Sequence, residues 1–447
     1  MRAITLSCSS VLLSVASTAF AFEAAPTIQW IDQFGSSGAE SAHAVAVDGF
    51  GDVYLAYYTS GSVDATSEND SIFLRKYNSA GTLLWSEPLG QSSFERPISI
   101  EVDDAGDLYV AGSVYGNGTT WDAFLSKYNS SGSRYWSQRF GSSSVDFGFD
   151  VCVDGQGNAF VSGLTEGVVD GVNAGEGDAF VAKFDTDGNH LWSRQYGTSG
   201  TDFGEGIAAD ADGNVYVTGN SNTGYPITDI DSLVVKYDPT GALVWTREIN
   251  PAGHYVGSSD IAVVDDTLYI IGDEQLQFGG WDAFLATYDT AGNYQSHFRW
   301  GSTGTPVASD STSDLAVDPA GGLLVIGSTR GDLAAENRGV EDIYVTKFDA
   351  AGAISWSKQF GTSGSDYGNS IAVDGSGNIY IGGSTTRALS GSSSGYYDAY
   401  LAKLSSVPEP ATATLAAAAC TVLALFHRRS LRSTRSSFGT SPNASAD

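Results

Sequence analysis

Six of the seven lysines in this 447-residue chain fall at one place in a recurring pattern: Lys76, Lys127, Lys183, Lys236, Lys347 and Lys403. Each sits in a run like Asp-Ala-Phe-x-x-Lys-Tyr, flanked by apolar residues that draw its ammonium group out of water. A buried charge left alone is costly, and a carboxylate partner offsets that cost. The pattern offers one at the end of an Ala-Val-Asp-like triplet, namely Asp48, Asp103, Asp154, Asp210, Asp265, Asp318 and Asp374. The expected chemistry is a structural ladder of ion pairs within or between repeats, not a catalytic lysine.

Other reactive side chains are dispersed. His43, His190, His254 and His297 occupy different positions in the repeat and lack the pair spacing of a metal site. Acidic turns such as Asp185-Thr-Asp187-Gly188-Asn189 are rich in oxygen, as calcium sites are, but lack the full ligand loop with its terminal glutamate. Turn chemistry accounts for them, because Asp and Asn bond to their own backbone there. No cofactor and no catalytic residue is expected, with calcium the alternative for the turns. Cys8 and Cys420 lie near the two ends and Cys152 in the body, where it replaces a repeat alanine, so no disulfide framework can form. No H-E-x-x-H motif or phosphate loop occurs, and the Gly-Thr-Ser-Gly runs at Gly197 and Gly361 read as connections between sheets. The formal charge of -30 excludes nucleic acid as a partner; Arg2, Arg428, Arg429, Arg432 and Arg435 belong to the terminal segments, so the body is more acidic still.

These side chains need a scaffold that repeats. Tryptophan recurs at Trp30, Trp85, Trp136, Trp192, Trp245 and Trp356, with Ser296 in the remaining copy, at the fixed position expected of a wedge between sheets. Within a copy, runs such as Ile207 to Asp210 and Val215 to Gly219 flank Asp210-Ala-Asp-Gly213-Asn214, a tight turn. A second pair flanks Asp238-Pro-Thr-Gly241, giving four antiparallel strands and no helical periodicity. Apolar residues on both strand faces require cover on both sides, which sheets stacked around an axis provide. The fold expected is all-β, a seven-bladed β-propeller. Its last copy ends at Leu404 without a fourth strand, and the chain begins with a strand of that kind at Thr27 to Phe34, so the N-terminal strand should close the ring.

The copies resemble the bacterial seven-bladed propeller repeat family, which carries a tryptophan, a Phe-Gly turn, an Ala-Val-Asp strand, a Gly-Asn-x-Tyr-Val strand and an Asp-Ala-Phe-x-x-Lys-Tyr strand. The resemblance spans Trp30 to Leu404 and implies the fold but no single activity. It departs in the fifth copy, where Thr287 replaces lysine and Val264-Asp265-Asp266-Thr267 lacks the turn glycine, so a less regular blade is expected there. The ends have their own logic. Residues 1–21 read as a secretory signal ending in Ala19-Phe20-Ala21, with the propeller over 22–404. A linker over 405–410 carries Pro408-Glu409-Pro410, an apolar segment follows over 411–429 with Arg428 and Arg429 at its end, and 430–447 form a Ser-rich disordered tail. This order resembles the Pro-Glu-Pro C-terminal sorting signal of exopolysaccharide-producing bacteria, which implies a membrane-embedded sorting protease as partner. The apolar segment is expected to cross the membrane with both arginines on the cytoplasmic side, leaving the body exported and tethered at the envelope or released.

In a four-strand meander both Asp-Gly hairpins emerge on one face, and the loops between second and third strands emerge on the other. Those loops differ most in length, as between Gly112 to Asp122 and Gly163 to Asp178. Variable loops on a fixed scaffold are where propellers acquire specificity. Trp121 and Trp281, at the ends of two such loops, are the candidate binding-face residues. The reading that follows is a non-enzymatic envelope or matrix module for polysaccharide or surface proteins. The alternative is a secreted lyase or hydrolase working from the central funnel, which would require blades that break the repeat near the axis.

Overall fold

The computed structural model describes residues 25–61, 71–89, 95–116, 120–222, 230–249, 255–275, 280–302 and 308–405. Their strands form seven four-stranded antiparallel sheets. Six are consecutive meanders, here called blades one to six, over 40–88, 95–140, 146–196, 201–249, 255–300 and 310–360. Blade seven takes three strands from 366–404 and its outer strand from Ile28–Phe34, which pairs antiparallel with Asp398–Leu404. The first strand of every blade packs against the first strands of the blades before and after it, blade seven against blade one included, so the ring is closed. The leader 1–21, the Pro408-Glu409-Pro410 motif, the segment 411–429 with Arg428 and Arg429, and the tail 430–447 all lie outside the described residues. No helix among the described residues is long and apolar enough to cross a membrane.

Strands with two apolar faces need two apolar neighbours, and the packing answers that demand. Seven hydrophobic clusters lie one at each interface between blades; Tyr54 and Leu74 of blade one meet Ile100, Val110 and Phe124 of blade two, for example. Closure adds its own contacts. Tyr77 of blade one donates its hydroxyl to Asp32 at 2.8 Å, and the Arg75 guanidinium lies 3.7 Å from the centre of the Phe34 ring. Both partners belong to the N-terminal strand.

The tryptophans are wedges of a particular kind. Five of the six stand on the outer strand of one blade and lie over the turn glycine of the next blade's outer hairpin. A Cβ added at Gly81, Gly188 or Gly241 would come within 2.7 to 2.8 Å of the ring of Trp30, Trp136 or Trp192. Those glycines also have φ near +80°, so both backbone and neighbour require them. The indole N–H groups of Trp136 and Trp192 donate to the Thr186 and Pro239 carbonyls in the same turns, at 3.1 and 3.3 Å. Where Ser296 replaces the tryptophan, Gly352 of the following turn has open space around its Cβ position. Blade five nonetheless keeps four full strands. Its inner hairpin is shorter, and Asp265 supplies the left-handed turn residue at φ 50° in place of glycine.

Candidate functional site: the axial channel and its loop-side mouth

Lysine and tryptophan are direct cross-strand partners in six blades: Lys76 with Trp85, Lys127 with Trp136, Lys183 with Trp192, Lys236 with Trp245, Lys347 with Trp356 and Lys403 with Trp30. In blade five both change together, and Thr287 and Ser296 share a hydrogen bond at 2.7 Å. The ammonium groups of Lys76, Lys127, Lys183 and Lys347 stand 3.6, 3.2, 3.7 and 3.0 Å from Asp48, Asp103, Asp154 and Asp318 of their own blades. Lys236 and Lys403 instead donate to the Thr290 and Ser79 carbonyls of the next blade, while Asp210 and Asp374 accept from Tyr216 and Tyr380. The ladder therefore mixes ion pairs with bonds to the neighbouring turn. Asp265 stands apart from the other six aspartates: it is exposed in its turn, and Val264 ends the strand where they sit.

The acidic turns are closed on themselves. Asp154 Oδ1 accepts from the backbone N–H of Gln156 and Asn158, and Asp185 and Asp210 repeat the arrangement. Among the described residues no group of three or more His, Cys, Asp and Glu side chains could hold a metal ion. On the opposite face a second set of carboxylates organises the loops. Asp146, Asp202 and Asp366 accept from the N–H of Ser142, Thr198 and Thr362, and Asp178, Asp342 and Asp398 accept from the amides of Gln195, Gln359 and Gln33. The Gly-Thr-Ser-Gly runs are thus sheet connections tied to buried aspartates. Gly391-Ser-Ser-Ser-Gly395 has the G-x-S-x-G spacing of a hydrolase elbow, but it lies in an exposed loop where the Ser394 N–H donates to Asp398. Trp121 and Trp281 flank loops on this face and are half-buried.

The residues that converge do so on the axis. The seven first strands enclose a channel of about 660 Å³. Each of those strands carries a β-bulge, one extra residue against its partner strand, at the same level. The extra residues are His43, Ile98, Phe149, Glu205, Ser259, Ser313 and Asn369, and all of them line the channel. Where the residue after the bulge is polar, it reaches sideways. Asp150, Asp260 and Asp314 accept from the backbone N–H of Ile207, Leu315 and Ile371 in the next blade, at 2.9, 3.1 and 2.8 Å. Ser370 Oγ accepts from the Val45 N–H at 2.9 Å and so latches blade seven to blade one. Gly206, at the same position, is excluded from carrying a side chain because its Cβ would lie 2.8 Å from the Asp260 Cα.

This crowding of carboxylates shows in their acidity. Desolvation against the wall, ahead of the hydrogen bonds it accepts, pushes Asp150 up to about 6. Glu205 is pushed up to about 7, again mainly by desolvation. Glu101 is open to the channel yet ringed by wall atoms, and with Asp150 and Asp314 nearby it rises to about 8. Asp260 and Asp314 are also raised by desolvation. Cys152 lies among the same groups, and desolvation, Asp150 and Glu101 hold its thiol well above the ordinary range. A thiol so placed is a poor nucleophile. Sequence reading passed over this ring, although Ser99, Asp150, Gly206, Asp314 and Ser370 all stand four residues before the Ala-Val-Asp aspartate of their copies.

Seven four-stranded sheets closed around an axial channel define the protein as a seven-bladed β-propeller. Two stretches, residues 191–226 and 355–387, match the beta-propeller repeat family SBBP, and the sevenfold repetition supports that family. The regulatory protein FlaEY of Caulobacter vibrioides is 25% identical over 397 residues, which cover 73% of this chain and 41% of that protein. The chain thus spans less than half the length of this curated relative. Among solved structures, a protein of unknown function from Dyadobacter fermentans aligns with 85% of this chain and 98% of its own, at 10% identity and a TM-score of 0.49. A polysaccharide lyase aligns over 81% and 89%, at 10% identity and a TM-score of 0.47.

Proposed function

We propose that this propeller is an exported, non-enzymatic envelope or matrix module that binds polysaccharide or a surface protein at the loop-side mouth of its channel. The observation that carries this reading is the contrast between neighbouring positions of one repeat. Architectural positions hold nearly the same residue in every copy, lysine in six of seven and tryptophan in six of seven. The bulge position holds His, Ile, Phe, Glu, Ser, Ser and Asn, all facing one channel. Residues freed from the repeat and gathered at one opening are what a selective binding surface requires. Export rests on the leader at 1–21. Envelope placement rests on Pro408-Glu409-Pro410 and the segment ending at Arg428 and Arg429, with a membrane-embedded sorting protease as the processing partner.

A second reading, a lyase or hydrolase working in the channel, is favoured by the carboxyl groups of Asp150 and Glu205, whose values of about 6 and 7 suit proton transfer near neutral pH. Against it, the described channel wall contains neither lysine nor arginine, so an acidic sugar entering it meets no counter-charge. The test is a glycan array with the purified protein, then calorimetry and a turnover assay on the hits. The binding reading expects retention without product, weakened by His43→Ala and Phe149→Ala. Turnover that Glu205→Gln abolishes would establish the enzyme instead, and binding indifferent to both mouth substitutions would refute the site.

A further inference from the structure

We infer that the sector of the mouth made by blades two to four takes an uncharged saccharide chain; this deepens the binding reading above and rests on it. Five aromatic rings meet there in series. Tyr115 contacts Trp121 with centroids 5.5 Å apart, Trp121 contacts Phe147 at 6.0 Å, Phe147 stacks on Phe149 at 6.3 Å, and Phe149 meets Phe203 at 6.3 Å. Tyr115 and Trp121 flank a loop between second and third strands, Phe149 lines the channel, and Phe147 and Phe203 begin the inner strands of blades three and four. The series therefore runs from the loop face into the channel.

These rings are not part of the folding core. All five are half-buried, and none belongs to any of the seven clusters between blades. Glycine holds the arc close to the wall: a Cβ at Gly148, between Phe147 and Phe149, would lie 2.7 Å from the Gly112 carbonyl oxygen. Aromatic surface kept partly wet on a rigid sheet is suited to a ligand that is apolar on its faces and polar at its rim. A pyranose is such a ligand, with C–H groups on its faces and hydroxyls around its edge. Polar groups follow where the arc ends, with Asp150 after Phe149 and Glu205 two residues beyond Phe203. Glu205 offers the hydroxyl rim a carboxyl group, and the net charge of -30 disfavours uronates and sulfated sugars.

Blade five supplies an internal control. Trp281 occupies the place of Trp121, but the next blade offers Ser311 and Ser313 where blade three offers Phe147 and Phe149. No arc forms there, so Trp281 should contribute nothing to this ligand.

The test is an array of neutral and acidic oligosaccharides probed with the purified full chain, followed by calorimetry with the strongest neutral hit. The expected result is binding to neutral chains at least tenfold tighter than to uronate or sulfated chains. Trp121→Ala and Phe149→Ala should each weaken it at least tenfold, Trp121→Tyr should recover most of it, and Trp281→Ala should leave it within twofold. Melting curves matched to the parent separate lost binding from lost folding. Hits confined to acidic glycans, no glycan hits, or a neutral hit that Trp121→Ala leaves within twofold would overturn the inference. Weakening by His43→Ala without weakening by Trp121→Ala would discard the arc and keep the mouth. A surface protein bound through Phe149 would discard the saccharide and keep the mouth.

Discussion

Replacing Glu205 with glutamine should stabilise the protein at pH 8 and do nothing at pH 4.5. Its carboxyl is raised from 4.5 to about 7 by desolvation at the channel wall, so the fold holds this proton more tightly than the unfolded chain does. The stability linked to it is complete below about pH 4.5 and is lost as pH rises through about 7. At 1.36 kcal/mol per pH unit the loss is about 3 kcal/mol. That figure is an upper limit, because Glu205 is half-buried and the channel opens to solvent; roughly half of it, about 1.5 kcal/mol, is the expectation. Glutamine cannot ionise and so keeps at pH 8 what glutamate has only in acid. The propeller unit spans Ala25–Ser406. With unfolding entropy near 2.1 cal/mol/K per residue over such a unit, the gain corresponds to about 2 °C in Tm. Differential scanning calorimetry at pH 4.5, 5 and 8 reads it. The parent should itself melt higher at pH 5 than at pH 8, since Asp150, Asp260, Asp273 and Asp314 are raised as well. The turn carboxylates Asp185, Asp238 and Asp289 are lowered by their side-chain and backbone hydrogen bonds, so their contribution disappears in stronger acid and the optimum falls near pH 5. Parallel melting of parent and variant at all three pH values, or a parent more stable at pH 8 than at pH 5, would refute the reasoning.

Lys183→Ala leaves the Asp154 carboxylate, 2% exposed, without its cation. Because Asp154 retains the bonds of its own turn, the cost should sit at about 2 to 3 kcal/mol, below that of a wholly stranded charge, and an unchanged melting curve defeats the ladder. Gly241→Ala and Gly352→Ala separate backbone from neighbour: both have φ near +80°, but only the first meets a tryptophan. Gly352→Ala should cost about 1 kcal/mol and Gly241→Ala about 2 kcal/mol more, measured by urea unfolding; equal costs would remove the wedge. Chelator should leave Tm unchanged, since the acidic turns spend their oxygens on their own backbone, and a drop of several degrees with EDTA would restore calcium.

Much of the scaffold was legible because its rules are local and repeated. Turn glycines, alternating apolar strands and the Asp–Lys spacing each follow from what one copy needs, and seven copies make the need visible. The unpaired strand at the chain start had one place to go, beside Asp398–Leu404. Contacts between blades were harder to read. That Lys236 and Lys403 bond to turns of the next blade depends on how two sheets lie against each other, which no single copy records. Blade five shows the same limit. Its missing turn glycine suggested irregularity, yet a two-residue turn with left-handed Asp265 preserves four strands and displaces the aspartate from its strand position. The bulges were hidden most completely, since one extra residue in an alternating strand looks like ordinary variation until the partner strand is aligned against it.

That extra residue explains how one short strand can serve both the ring and a ligand. In an unbroken strand, changing the side chain at the mouth would change residues that also carry the latch to the next blade. A bulge places two residues against one, so Phe149 faces the channel while Asp150, its neighbour in sequence, reaches Ile207. Ser259 and Asp260 divide the work in the same way, and so do Ser313 and Asp314. In four blades the second residue of the pair bonds to the backbone of the next blade, and the first is free to differ from blade to blade. The mouth can therefore acquire a phenylalanine, a glutamate or a histidine without loosening the wheel, which is why the departures from the repeat collect at the axis as well as in the loops.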